Sequence, residues 1–320
     1  MSGLNGPRLG DRAVIVRYGE ISLKGKNRSQ FELGLKNDLE WFLRTNNHPF
    51  SRISVQRGRI YIHDCADLPD LEKVLGVYSY SPALEIARDY ETLKEAIKGF
   101  IPDIKDSADF RVSCQRLDKH FSPNSMAVEK EMGALIAEQT GTPVRLKDPA
   151  FELYIEIGQR HIYLFSEKIN AFGGFPVGSA GKLVSLISGG IDSPVATFLM
   201  MKRGVWPVLL HFQVSAEEAA KVARLRDRLE AFSAGRKLKL IVQVASQTLK
   251  NLMAQRRGSD CPVYSPLIAH EKIETMALAR RIGTYDLSIA SVPGCTPPRS
   301  PKTGVRFEQL LKVLEETGLK

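Results

Sequence analysis

The strongest chemical signal in the chain is the run Ser188-Gly189-Gly190-Ile191-Asp192-Ser193, placed directly after the apolar stretch Leu183-Val184-Ser185-Leu186-Ile187. Glycines let the backbone approach a phosphate closely, and the amides and dipole of a helix start favour negative charge. Ser188 and Ser193 add hydroxyl donors, whereas Asp192 would repel a phosphate unless a cation lay between them, which points to Mg²⁺. By spacing alone the run fits equally well a plain strand-to-helix turn in which Ser193 is the N-cap and Pro194 sits at the first helical position. No Lys-Ser/Thr pair follows the glycines, so the loop is not of the kinase type.

Cys295 is a second reactive candidate, since Pro293, Gly294, Pro297 and Pro298 predict an irregular loop and Arg299 and Lys302 would favour a thiolate. Cys65 and Cys114 lie in or beside alternating strands and fit packing roles; Cys261, before Pro262, suits a resolving thiol for Cys295 or a structural role. With no C-x-x-C pair among the four cysteines, neither a disulfide framework nor a metal site is expected. Arg17, Lys24, Lys26 and Arg28 gather around Tyr18, and Arg116, Lys119 and His120 beside Phe121. Such clusters make salt-dependent phosphate contacts with nucleic acid, or simply form a solvated basic face.

The formal charge of +9 and pI near 9.3 favour an anionic partner without choosing between nucleic acid and an acidic surface. No apolar run reaches the roughly 18 to 20 residues that cross a bilayer, and the opening lacks a secretory h-region, so no membrane partner and a cytoplasmic location are expected.

These groups must be positioned by the surrounding elements. Ala13-Val14-Ile15-Val16 reads as a buried strand, and Phe31, Leu35, Leu39 and Phe42 as the apolar stripe of a helix capped by Asn27 or Ser29. Strands at 53–55 and 59–62 close a small α+β unit over residues 1–64. A helix-like segment from Leu71, a strand at 110–114, a helix at 127–139 and strands at 151–157 and 162–167 give a second α+β unit over 65–170. The glycine-rich stretch 171–182 reads as a linker. Beyond it, over 183–320, strands and helices alternate: the strand before the loop, a helix to about Arg203, a stop at Gly204, a strand through His211-Phe212, a helix with Val222, Leu225 and Leu229, and a strand at 238–244. A parallel α/β sheet with right-handed crossovers is expected there.

The loop and its preceding strand resemble the PP-loop of ATP pyrophosphatases. The resemblance extends along the chain through 16–25, 116–121, 173–178, 243–248 and 281–285, and is to the tRNA 4-thiouridine synthetase (tRNA uracil 4-sulfurtransferase) family. It implies an N-terminal ferredoxin-like unit, a THUMP domain that binds tRNA, and a doubly wound parallel-sheet PP-loop domain that uses ATP and Mg²⁺ to adenylate a uridine. Sulfur then displaces AMP to give 4-thiouridine. It also implies that Leu186, Ile187, Ser188, Gly189, Gly190, Ser193, His211, Phe212 and Gln247 contact the nucleotide, that Asp192 is the essential loop acid, and that Cys295 handles persulfide sulfur. It places Arg17, Lys24, Lys26, Arg28, Arg116, Lys119 and His120 on tRNA. The expected sulfur source is a separate persulfide donor, such as a cysteine desulfurase or a rhodanese; a homodimer and a part in thiamine thiazole sulfur supply are compatible with the family.

One departure stands out. Between His211-Phe212 and Gln243 the chain is several dozen residues shorter than the family pattern, lacking a paired-arginine block and a Thr-Gly-Glu turn; Arg256-Arg257 lies beyond it. A parallel sheet missing part of a strand-helix-strand unit would leave one side of the nucleotide pocket open. The rival expectation is therefore a tRNA-binding protein with a degenerate, non-catalytic PP-loop domain.

Overall fold

The computed structural model describes residues 11–56, 58–65, 67–213, 215–244 and 264–291. They fall into two units that divide between Ser179 and Ala180. In the first unit, β1 (Asp11–Arg17), α1 (Arg28–Thr45), β2 (Arg52–Gln56) and β3 (Arg59–His63) are followed by β4 (Ser79–Ala87), α2 (Tyr90–Lys98) and α3 (Ile101–Lys105). Then come β5 (Phe110–Arg116), α4 (Ser125–Thr140), β6 (Phe151–Ile157), β7 (His161–Phe165) and the short β8 (Ile169–Asn170). The strands form one sheet in the order β2-β3-β1-β4-β7-β6-β5, with β8 on β4, and only β5 and β6 pair in parallel.

Alternation sorts this sheet into two faces. Leu84, Ile86, Leu153, Ile155, Ile162 and Leu164 meet apolar side chains of α2, α3 and α4, while Ala13, Ile15, Tyr61, Ala83, Tyr163 and Phe165 cluster on the opposite face. That face closes on itself. Glu156 on β6 takes hydrogen bonds from Arg59 Nε at 3.1 Å and from the Tyr61 hydroxyl at 3.0 Å, both on β3. Four strand spacings separate β3 from β6, about 19 Å in a flat sheet, so these contacts require a strongly curled one. Curling explains how Tyr61, Tyr163 and Glu156 are buried.

One expectation meets a different arrangement. From Leu71 the chain makes only a 3-10 turn, Leu71–Lys73, and then β4; the next helix starts at Tyr90. Gly76, at φ +108, ends the turn in a conformation that L side chains rarely adopt. Strands from 1–64 and 65–170 also share the one sheet, because β1 pairs with β4 along seven residues. The stretch 171–177 is built into this unit: Gly76 N–H donates to Gly173 O at 2.8 Å, Gly173 N–H to Val77 O at 2.7 Å, and Phe172, Phe175 and Val177 are buried.

The second unit contains β9 (Lys182–Leu186), α5 (Asp192–Lys202), β10 (Trp206–Gln213), α6 (Ala216–Glu230), β11 (Leu240–Val244), α7 (Lys272–Arg281) and α8 (Tyr285–Ile289). Its strands are parallel in the order β11-β10-β9, the α/β arrangement the alternation implies. Gly204 stops α5 at φ +87, Ser215 caps α6 by accepting the Glu218 N–H, and Phe198 of α5 packs edge-on against Phe232 at 5.0 Å. The shortened segment after Phe212 thus still completes a β10-α6-β11 crossover. Ser185 bonds Thr197 of α5 across the covered face, whereas Val184 and Leu186, which alternation turns the other way, are 63% and 53% exposed. Parallel sheets are normally covered on both faces.

Gly76→Ala is expected to destabilise the first unit by about 1–3 kcal/mol, since the new methyl would combine a strained φ with a 3.0 Å approach to Leu35 Cδ1. Gly34→Ala, inside α1 with only an ordinary 3.5 Å contact to Pro176, is expected to be neutral or mildly stabilising. Urea unfolding of both variants checks the contrast.

Candidate phosphate loop and cation clusters

The register of β9 on β10 places Leu186 opposite Leu210, so the chain leaves the sheet at Ile187 beside His211. Ile187 N–H donates to Leu210 O at 2.9 Å, and His211 Nδ1 lies 3.0 Å from Ile187 O. A carbonyl can only accept, so Nδ1 carries the proton, and in the tautomer with one proton Nε2 is the acceptor. That Nε2 is buried and has no partner among the described residues.

The loop is then closed by hydroxyl groups. Ser193 Oγ accepts the Ser188 N–H at 2.9 Å and lies 3.2 Å from Ser188 O, and Ser188 Oγ accepts a long bond from the Gly190 N–H. Thr197, fully buried, donates to Ser193 O at 2.9 Å and reaches Ser185 Oγ at 2.7 Å, fastening the loop to α5 and β9. Helix α5 begins at Asp192 after Ile191, whose side chain cannot cap it. Ser193 is therefore not the N-cap and Pro194 is not the first helical residue; the helix starts earlier. Among the described residues nothing accepts the N–H groups of Gly189, Ile191, Asp192 or Ser193. Four free donors at one loop and helix start form an anion cradle.

Sequence reasoning did not find Lys272. At the start of α7 it reaches back to Asp192, Nζ to Oδ1 2.5 Å, so the loop acid already has a cation of the chain's own beside it. The separation of eighty residues leaves no local signal for this pair. Of the other expected nucleotide contacts, Phe212 follows His211 on β10 and Leu186 ends β9; Gln247 lies outside the described residues, as do Cys295 and Cys261. No group of three or more His, Cys, Asp or Glu among the described residues could hold a metal ion, and no helix there is long and apolar enough to cross a membrane.

The basic residues of the first unit have mixed surroundings. Lys24 lies over Phe175 at 4.3 Å, and Arg28 bonds Glu32 at 2.8 Å and the Tyr18 hydroxyl at 2.9 Å. Burial pushes that tyrosine up to about 12, the bond to Glu32 adding to the shift. Arg116 donates to the carbonyls of Phe121 and Lys119 and so shapes its own loop, while Lys26, Lys119 and His120 remain exposed. Arg17 points elsewhere, into the curled face, bonding Ser81 and lying over Phe165; there it lines a cavity of about 400 Å³ with Arg59, Arg111, Lys168 and Tyr154. Burial lowers the pKa of Arg17 and of Lys168. Arg59, Arg111 and Lys168 escaped sequence reading because only the curl gathers them.

Three comparisons bear on these features. The thiamine biosynthesis protein (ThiI) family model matches residues 178–242 and 241–319, the ThiI ferredoxin-like domain 13–81 and the THUMP domain 87–167. The chain is 31% identical to a probable tRNA sulfurtransferase of Methanothermobacter thermautotrophicus, covering 96% of this chain and 94% of that one. It is 33% identical to a probable tRNA sulfurtransferase of Natranaerobius thermophilus, covering 92% and 89%. These alignments run over 374 and 370 positions, more than the 320 residues here, so the relatives carry residues without a counterpart. The two pieces of the ThiI match meet at 241–242, inside β11, where the shortening was expected. Among solved structures, a 4-thiouridine synthetase in complex with RNA and bound ATP superposes with a TM-score of 0.79 at 28% identity, over 96% of this chain and 97% of that one. A Pyrococcus horikoshii protein superposes at 0.73 and 27%, over 85% and 99%.

Two measurements probe this geometry. Ser193→Ala removes the hydroxyl that closes the loop, and pyrophosphate affinity in calorimetry is expected to drop roughly tenfold; unchanged affinity would show that the loop holds its shape without it. Burial pushes Cys65 up to about 11 and Cys114 to about 12, so both stay protonated, and therefore weakly nucleophilic, at neutral pH. Iodoacetamide at pH 7 is expected to leave both unmodified in the native protein, as peptide mapping would report.

Proposed function

The chain belongs to the tRNA sulfurtransferase family that carries the ThiI, ThiI ferredoxin-like and THUMP domains, and on that footing we propose that it is an ATP-dependent enzyme converting a uridine of tRNA to 4-thiouridine. The observation that carries this reading is the phosphate loop, whose four N–H groups without an acceptor among the described residues stand beside a histidine whose buried Nε2 has no partner there. The cradle suits the phosphates of ATP. The orphan acceptor suits an adenine amino group, which supports nucleotide-contact roles for Ile187, His211 and their neighbours Leu186 and Phe212. Gln247 is proposed on sequence alone.

ATP supplies the adenyl group that turns the uracil 4-oxygen into a leaving group. The protein's own part is to hold the phosphates through the amides and hydroxyls of Ser188, Gly189, Gly190 and Ser193, in a loop that needs no reorganisation when charge develops. Asp192, with one carboxylate oxygen engaged by Lys272, would be the residue that holds Mg²⁺, which would supply positive charge against the phosphates. Lys272 and the metal would share the task of keeping that carboxylate from repelling the nucleotide. Cys295 is proposed as the sulfur carrier, charged by a separate persulfide donor. The exposed Lys26, Lys119 and His120, with the cations around Arg17, are proposed tRNA contacts.

With tRNA, ATP and a persulfide source, wild-type protein is expected to form 4-thiouridine. Asp192→Ala and Cys295→Ser are expected to abolish it while leaving tRNA affinity within about twofold, because the binding residues lie in the other unit. Nucleoside analysis by mass spectrometry reads the product. Undiminished product from either variant would remove that residue from the mechanism, and an inactive wild type that still binds tRNA would favour a non-catalytic PP-loop domain.

A further inference from the structure

Behind the phosphate loop sits a charged residue that the reading above does not use. Lys221, in the second turn of α6, is only 6% exposed and pairs with no carboxylate among the described residues. Its Nζ donates to Ser288 O at 2.7 Å and Ala290 O at 2.9 Å, the carbonyls where α8 ends. Its stem packs on the loop: a methyl placed on Gly189 would stand 3.2 Å from Cδ and 3.7 Å from Nζ. A second bond ties the same two segments, from Ser288 Oγ to Gly190 O at 3.3 Å. Three elements therefore meet at one ammonium: α6, the loop glycines and the turn from which the chain runs on to Cys295, five residues past Ala290.

Burying an ammonium is costly unless its charge is answered, and neutral carbonyls satisfy its hydrogens without cancelling that charge. Anionic phosphate in the adjacent cradle would cancel it. We propose that Lys221 is a positioning residue with two linked effects: its charge answers the bound phosphates from behind Gly189, and its two carbonyl bonds fix the root of the cysteine-bearing segment to the loop. Nucleotide capture and the start of the sulfur-carrying segment are thereby set by one side chain. The inference rests on the adenylation and sulfur-transfer reading above.

Full-length wild type, Lys221→Met and Ser288→Ala are compared in 4-thiouridine formation, with ATP and tRNA varied separately. Methionine keeps most of the stem and loses the charge, so KM for ATP is expected to rise at least about tenfold and kcat to fall on the order of 10²-fold, the usual cost of small misplacements, with KM for tRNA within about twofold. Ser288→Ala is expected to raise KM for ATP about three- to tenfold, the worth of one hydrogen bond. The double variant should fall short of the product of the two effects, since both act on one joint. A residue serving folding alone would lower kcat through the active fraction and leave KM for ATP unchanged, and that result overturns the inference. So does a Lys221→Met enzyme with both constants within about twofold of wild type. Should Lys221→Met not accumulate as folded protein, Ser288→Ala alone decides, an unchanged KM for ATP counting against the proposal. If wild type makes no 4-thiouridine, the proposed function falls by itself, and Lys221 is judged by calorimetry with ATP alone, where equal affinity of wild type and Lys221→Met rejects its role.

Discussion

Parallel pairing of β9 with β10 is the constraint on which the second unit depends. With Leu186 opposite Leu210, the last strand bond falls on Ile187 N–H and the next carbonyl falls to His211. A slip of one residue would either turn Leu209 and His211 out of the buried face or bring Val184 and Leu186 toward α5. The loop would then start from the wrong face of the sheet. Its short hydroxyl ties through Ser188, Ser193 and Thr197 can close only because the strand ends where it does. The helix behind it can leave its first amides free because none of them is needed to hold the loop.

Charge is arranged around that loop on both sides. Lys272 stands exposed in front, on Asp192, and Lys221 is buried behind, on carbonyls. The two lysines differ in kind: one is exposed and screened by solvent, while the other is buried, where its charge is screened less. Free amides add partial positive charge between them. An anion arriving there meets donors already oriented, which is the economy of electrostatic preorganisation.

Much of this was legible in the sequence because it is local. Strand, glycines, hydroxyls and helix fall within the twenty-one consecutive residues 182–202, and alternation of strand and helix identifies the parallel sheet. What escaped depends on distant pairs. Lys272 and Asp192 are eighty residues apart, Lys221 and Ser288 sixty-seven, and Arg59 and Glu156 ninety-seven. The curl of the first sheet escaped for another reason: Tyr61, Glu156 and Tyr163 read as ordinary alternating residues, and only the closing of β3 toward β6 makes a buried polar interior of them. Residues 71–87 misled because a turn ended by a left-handed glycine has the same apolar spacing as a short helix.

The shortening before Gln243 is best understood through β11. Helix α6 returns the chain to β10's free edge, and Leu240 to Val244 pair there in the same direction, so the crossover that relatives could complete with a longer segment is completed here with a shorter one. The loss therefore falls beside the sheet and spares the loop. Its physical consequence is at the strand ends, where the nucleotide's sugar and base would rest in an open α/β sheet. The phosphate loop, ahead of β10, lies outside the shortened segment. An α/β crevice that encloses less of a nucleotide's sugar and base leaves more of the binding energy to its phosphates.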